Sequence, residues 1–171
     1  ASTEVAMTDS PSDAVRRPDT SIAVGLNLKK SGQADAFVSP GNTGAVMAGA
    51  LLVLGRIPGG NRPAIAAIFP TTKNRNTIVL DVGANPICKP INIAQFGAMG
   101  VVYARQVHGI PNPSVGLLSI GEERSKGHDL IVKSHELFER SGLNFVGNVE
   151  GRDILCGESD VVVTDGFTGN V

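Results

Sequence analysis

The chain contains no tryptophan, a single tyrosine (Tyr103) and six phenylalanines in 171 residues. So thin an aromatic inventory excludes a base-stacking platform for single-stranded nucleic acid, which needs ring faces in series. Net charge is nearly absent too: 15 Lys and Arg stand against 16 Asp and Glu, leaving −1. No global field draws the chain to nucleic acid or to an anionic membrane. Cysteine is limited to Cys88 and Cys156, in no CxxC pattern, which fits two reduced thiols in a cytosolic protein. The longest uncharged apolar run, Gly44 to Gly55, falls short of the about 20 residues that cross a bilayer. The start, Ala1-Ser2-Thr3-Glu4, lacks the basic and apolar regions of a signal peptide.

Familiar catalytic signatures are missing as well. There is no GxGxxG, no GxSxG and no HExxH, and His108, His128 and His135 show no metal spacing with the cysteines. Gly116 and Gly121 have Walker-A spacing, but Glu122 stands where lysine is required, so a P-loop is rejected. No metal and no cofactor are expected. Acyl-transfer chemistry on this chain would have to run without an enzyme-bound acyl intermediate, since no nucleophile–base arrangement is legible.

What is present is the composition of a folded domain: 42% hydrophobic and 18% charged residues, with length enough for a real core. Residues 1–19 read as loop or short helical turns. Asp19 or Thr20 caps a helix through Ile22, Ala23, Leu26 and Leu28 to Lys30. Ala36–Ser39 reads as a strand and Thr43–Leu54 as a buried helix. Ala64–Phe69 and Thr77–Asp81 read as strands of a hairpin across the polar turn Thr71–Asn76. Pro90 opens a helix over Ile91–Val107. Val115–Ile120, Asn144–Gly147 and Asp160–Thr164 read as further strands, Asp129–Arg140 as a helix and Arg152–Leu155 as one helical turn. Alternating strands and helices imply an α/β fold with a mainly parallel sheet covered on both faces, in one domain over residues 1–171. The chain opens without methionine and stops at Val171 after a glycine-rich turn, where doubly wound folds usually continue into a helix. An internal piece of a longer protein is the expectation.

Three polar, glycine-containing turns carry the functional signal. Ser39-Pro40-Gly41-Asn42-Thr43-Gly44 leads into a helix, where unpaired N–H groups and the helix dipole favour an anion. Asp81-Val82-Gly83-Ala84-Asn85-Pro86 and Thr164-Asp165-Gly166-Phe167-Thr168-Gly169-Asn170 follow apolar strands. A fourth loop, Gly121-Glu122-Glu123-Arg124-Ser125-Lys126-Gly127, also follows a strand, and strand C-termini line the ligand crevice of a parallel sheet. Together they point to a phosphorylated ligand or phosphate itself.

The motifs Ser39 to Ala45, Gly55-Arg56-Ile57 with Arg62-Pro63-Ala64, Leu80 to Asn85, Val115 to Glu123, Asn144 to Asp153 and Asp160 to Val171 resemble, in order and nearly end to end, the phosphate acyltransferase (PlsX) family of bacterial phospholipid synthesis. The resemblance implies transfer of a fatty acyl group from acyl-carrier protein to inorganic phosphate, giving acyl-phosphate. A membrane glycerol-3-phosphate acyltransferase then uses that product. It implies a three-layer α/β/α sandwich like that of isocitrate and isopropylmalate dehydrogenases, and a homodimeric, cytoplasmic, loosely membrane-associated enzyme. The family's catalytic lysine falls on Lys126 and its catalytic asparagine on Asn170. The family's N-terminal strand, with Asp-Ala-Met-Gly-Gly-Asp, is not in this sequence.

On this reading Ser39, Asn42, Thr43 and Gly44 hold phosphate, Lys126 neutralises it or the tetrahedral oxyanion, and Asn170, with Asn85 and Thr168 nearby, orients the thioester. The acidic carrier protein would dock on a local basic patch drawn from Arg16, Arg17, Lys29, Lys30, Lys73, Arg75 and Arg105. Two rivals are a metal- and nicotinamide-dependent dehydrogenase of the related fold and a non-catalytic fragment.

Overall fold

The computed structural model describes residues 1–171, the side chains of residues 12–14 excepted. The described residues group into two compact units, Ala1–Gly60 and Asn61–Val171, where the sequence reading treats the chain as one domain. Each is described by itself.

The larger unit holds the sheet. β1 (Ala66–Pro70) and β2 (Asn76–Leu80) form the expected antiparallel hairpin. β3 (Ser114–Leu118), β4 (Asn144–Val149) and β5 (Val161–Val163) complete a five-stranded sheet in the order β1-β2-β5-β3-β4. The last strand in sequence thus inserts at the centre, parallel to both β2 and β3. Side chains alternate across it. Ile78, Leu80, Val115, Leu117, Val161 and Val163 point to one face, where Phe96 and Ile93 of α4 (Pro90–His108) and Phe138 and Ile131 of α5 (Asp129–Glu139) close the main core. Val79, Val149 and Val162 point to the other face, where Ile154 of α6 (Gly151–Cys156) packs. Helices on both sides of a mostly parallel sheet make the three-layer α/β/α arrangement expected.

The helix boundaries follow local chemistry. Pro90 stands first in α4, and Gly109, at φ 67°, ends it in the left-handed conformation. α4 is long enough for a membrane, but no described helix is both long and apolar enough to cross one.

The smaller unit is helical: α1 (Pro11–Arg16), α2 (Ser21–Lys30) and α3 (Thr43–Val53). Thr20, fully buried, caps α2 by accepting from the Ala23 N–H. Two expectations are corrected here. Ala36–Ser39 is not a strand: it pairs with none, Val38 is exposed, and Phe37 packs instead on the α2/α3 core against Gly25. Nor is α3 a buried helix. Ala45 and Gly49 are covered, whereas Leu52 is 71% exposed, because α1 and α2 cover one side only.

Candidate functional site

In the larger unit β2, β5, β3 and β4 run parallel, so the loops after their C-termini collect at one end of the sheet. Two of the polar turns meet there. The β2 and β5 ladder continues beyond the strands through Thr164 N–H to Leu80 O (2.6 Å) and Asp81 N–H to Thr164 O (3.1 Å). Asp81, fully buried, then organises its own turn. Its Oδ1 accepts from the Ile65 and Ala84 N–H groups (3.0 Å each), and its Oδ2 from the Asn85 N–H (2.7 Å) and Asn85 Nδ2 (2.8 Å).

The β5 turn lies directly on this loop. Gly166 N–H donates to Asn85 O (2.8 Å). A Cβ on Gly166 would stand 2.7 Å from the Asn85 nitrogen, and one on Gly169 only 2.1 Å from the Asp81 carbonyl oxygen. Backbone touches backbone, so only glycine fits. Asp165 shapes the remainder: Oδ1 accepts from the Phe167 and Thr168 N–H groups, and Oδ2 from the Thr168 hydroxyl (2.8 Å). That turns the chain into the single 3-10 turn Thr168–Asn170. Asn170 is exposed beside Gly83, and its amide makes no hydrogen bond among the described residues.

The Lys126 loop is anchored at its base. Ser119 N–H donates to Val149 O and the Ser119 hydroxyl to Lys126 O (3.1 Å), while Lys126 N–H and Asn148 Nδ2 both donate to Glu123 O (2.9 Å each). Only the backbone of Lys126 is thus engaged. Its exposed ammonium has no ion-pair partner among the described residues, whereas the neighbouring Arg124 pairs with Glu139 (2.9 Å).

A cavity of about 530 Å³ separates these loops. Gly127, next to Lys126, and Thr168, two residues before Asn170, both line it; Leu118, Ile120 and Ile131 supply apolar surface. A second hollow of about 690 Å³ adjoins it, sharing Leu118, Gly151 and Thr168, and extends over Phe69, Val79, Val82, Ile154 and Phe167. Ile120 (83% exposed) and Phe167 (69%) stand uncovered at the two hollows. Among the described residues, Asn170 lines the second hollow with an amide that makes no hydrogen bond, and Lys126, beside the lining residue Gly127, has an unpaired ammonium; the linings are largely apolar.

The other candidates fare differently. Both amide hydrogens of Asn85 are occupied, by Pro63 O (2.7 Å) and Asp81 Oδ2, so Asn85 braces its turn and has no donor for a ligand. Thr168 gives its hydroxyl proton to Asp165 and offers lone pairs alone. The Ser39–Gly44 corner belongs to the smaller unit. There Asn42 is buried, with Oδ1 accepting from Ala45 N–H and Nδ2 donating to Ala6, Met7 and Asp9 carbonyls. It is a helix cap and a clamp on residues 6–9, not a free donor. Gly44 packs against Pro11, and Ser39 Oγ accepts from Gly41 N–H (3.2 Å). The Thr43 hydroxyl is exposed, and the Thr43 and Gly44 N–H groups have no acceptor among the described residues.

Sequence reasoning did not single out Asp81 as the buried hub, because a carboxylate in a polar turn is ordinarily solvated. Nor did it single out Cys88, which donates to Asn85 O (3.2 Å) beneath the same turn. Burial pushes the Cys88 thiol up, with Asp165 and Asp81 adding to the effect. A raised pKa leaves less thiolate at a given pH. At pH 8 an alkylating reagent should therefore label exposed Cys156 faster than the half-buried Cys88; mass spectrometry of the tryptic peptides reads both rates. Equal rates would contradict this placement.

Over 172 residues the chain is 55% identical to the phosphate acyltransferase of Geotalea daltonii, and over 174 residues 54% identical to that of Halothermothrix orenii; all of this chain is covered in both, against 49% and 52% of theirs. It therefore spans about half the length of the curated relatives it matches. A branched-chain phosphotransacylase from Enterococcus faecalis has the same fold, with a TM-score of 0.55 at 15% identity over 95% of this chain and 62% of that one. With the model of the family described as "Fatty acid synthesis protein" matching residues 1–171 throughout, this chain belongs to that family.

Proposed function

We propose that the protein transfers a fatty acyl group from the thioester of acyl-carrier protein to inorganic phosphate. A phosphate oxygen attacks the thioester carbonyl carbon, the C–O bond forms, the C–S bond breaks, and the carrier's thiol leaves with the proton. Both reactants are already activated, so the protein has to hold them together and stabilise developing charge. Lys126 neutralises phosphate or the oxyanion, and Asn170 donates to the oxyanion or fixes the thioester. The observation that carries this reading is the pair of adjoining hollows: Gly127, next to Lys126 with its unpaired ammonium, lines one, Asn170 with its unpaired amide lines the other, and both linings are apolar enough for an acyl chain. Relatives named phosphate acyltransferase support the same reaction.

Ser39, Thr43 and the free N–H groups at the start of α3 supply a second anion-binding element in the smaller unit. For docking of the acidic carrier protein the smaller unit by itself offers Arg16, Lys29 and Lys30, and the larger unit by itself Arg105, none with an ion-pair partner among the described residues. Arg17 pairs with Asp9. Lys73 and Arg75 leave the patch: they pair with Glu158 (2.8 Å) and Asp160 (3.1 Å) at the opposite end of the strands from the cavity. A homodimer, and hand-over of acyl-phosphate to a membrane glycerol-3-phosphate acyltransferase, complete the proposal.

The test is direct. The purified whole protein is given acyl-carrier-protein thioester and phosphate, and the product is trapped with hydroxylamine as the hydroxamate. Hydroxamate that saturates with phosphate concentration is the expected result. Thiol release without phosphate dependence would overturn the reading.

A further inference from the structure

The covered residues of α5 are Ile131, Ser134, His135 and Phe138. Ile131 and Phe138 fill the main core, and the Ser134 hydroxyl donates to the Leu130 carbonyl of its own helix (2.6 Å). His135 is the exception. It is 7% exposed, its ring packs edge-on against Phe145 with centroids 4.9 Å apart, and its Nδ1 lies 3.0 Å from Asn148 Oδ1 on β4. A buried polar ring gives up its water, so an aliphatic side chain would fill the same place at lower cost. The imidazole is explained by what it bonds.

Asn148 fixes the position of the proton. Its Nδ2 donates to Glu123 O (2.9 Å), a carbonyl that only accepts, so its Oδ1 is the atom facing the ring. His135 Nδ1 therefore carries the hydrogen and donates it. Asn148 is 5% exposed, so water is no ready substitute for either bond. The far nitrogen, Nε2, faces Glu139 Oε1 at 3.6 Å, and Glu139 pairs with Arg124 of the loop (2.9 Å). That second tie is partly exposed and contributes little by itself.

The receiving end of this chain of bonds is the Lys126 loop. Glu123 O accepts the Asn148 amide and the Lys126 N–H together, which closes the turn 123–126. The Lys126 stem lies beside Gly121, where a Cβ would stand 3.1 Å from its Cγ. Ser119 holds the Lys126 carbonyl from below. With both backbone groups of Lys126 held, the direction in which its ammonium leaves the loop depends on Glu123 O, and Asn148 orients that carbonyl.

We propose that His135 is a positioning residue for acyl transfer: by donating to Asn148 Oδ1 it turns the Asn148 amide onto Glu123 O and so fixes the loop that presents Lys126. The proposal rests on the phosphate acyltransferase reading, in which the Lys126 ammonium meets developing charge. His135 touches no substrate and acts through Asn148 alone.

The test uses the whole protein carrying His135→Phe, which keeps a ring against Phe145 and removes the donor, and His135→Asn, which loses the ring and offers an amide N–H near the Nδ1 position. Phe should lower kcat/KM for acyl-phosphate formation about 10-fold, the effect of one lost hydrogen bond, and Asn should stay within about 3-fold of wild type. Activity then follows the donor. Activity that instead follows the melting temperature across the two variants would overturn the proposal, because the residue would serve the fold. On a Lys126→Ala background the Phe substitution should change kcat/KM by less than about 2-fold, since the group being positioned is gone. An equal fall on both backgrounds would overturn the proposal.

Nitrogen NMR of isotope-labelled histidine in the wild-type protein should show His135 Nδ1 protonated; a bare Nδ1 would overturn the proposal whatever the variants do. Should Phe fail to fold, His135→Leu takes its place, and failure of both would show that the ring serves the fold. If wild type forms no acyl-phosphate, or Lys126→Ala turns over normally, the functional reading falls separately and hydrogen exchange tests the loop. Faster exchange across residues 121–127 in the Phe variant, with residues 161–163 of β5 unchanged, supports the positioning role, and equal exchange overturns it.

Discussion

Replacing Lys126 with alanine is expected to lower kcat/KM for acyl-phosphate formation by about 100- to 1000-fold while leaving the melting temperature nearly unchanged. The two halves of that expectation have separate causes. An electrostatic donor aimed at developing charge contributes on the order of 2.7–4 kcal/mol to the transition state. The fold, by contrast, uses only backbone atoms of Lys126: its N–H to Glu123 O and its carbonyl to the Ser119 hydroxyl. Alanine keeps both, and exposed substitutions away from special contacts change stability by within about 0.5 kcal/mol. Asn170→Ala should behave alike, since its amide makes no hydrogen bond among the described residues. Near-wild-type turnover in either variant removes that residue from the mechanism. A collapse of stability would show that it serves the structure.

Asp81→Ala should do the reverse, destabilising the protein by about 3–5 kcal/mol, with loss of activity following from misplacement of the loops. The carboxylate accepts four N–H donors within a buried turn, and each donor stranded out of reach of water costs about 1–3 kcal/mol. Relaxation of the turn lets some find other acceptors, which keeps the sum below a full four-fold loss. The damage spreads because Gly169 rests on the Asp81 carbonyl and Gly166 bonds to Asn85; the turn bearing Asn170 has lost its floor. Asp81→Asn, which retains one acceptor oxygen, should fall between wild type and Ala in denaturant titrations. Two variants as stable as wild type would refute the assignment of Asp81 as the hub.

Most of the sheet was legible because its signals are local. Val161-Val162-Val163 and the apolar run Ile78-Val79-Leu80 announce buried strands, and Pro90 marks the start of α4. Ala36–Ser39 misled because an apolar run predicts burial, not pairing: Phe37 found its burial on α2 and needed no ladder. Gly44–Gly55 misled in the other direction. A run apolar on every side reads as enclosed, yet what encloses it depends on neighbours that a one-dimensional pattern does not supply. Among the site candidates, Lys126 and Asn170 carry side chains with no hydrogen-bond or ion-pair partner among the described residues. Asn42 and Asn85, chosen as donors by residue type, are occupied by backbone carbonyls and Asp81. An amide looks the same in sequence whether it caps a turn or waits for a ligand.

Sequence alone determined the α/β class, the order of elements in the larger unit and the polar turns at strand ends, because propensity, apolar runs and turn chemistry act over a few neighbouring residues. Tertiary structure decided that β5 would sit between β2 and β3, and so which turns share a cavity. It also decided which polar groups remain uncommitted. Both are questions of partners brought together from distant parts of the chain, and hydrogen bonds are assigned only when those partners meet.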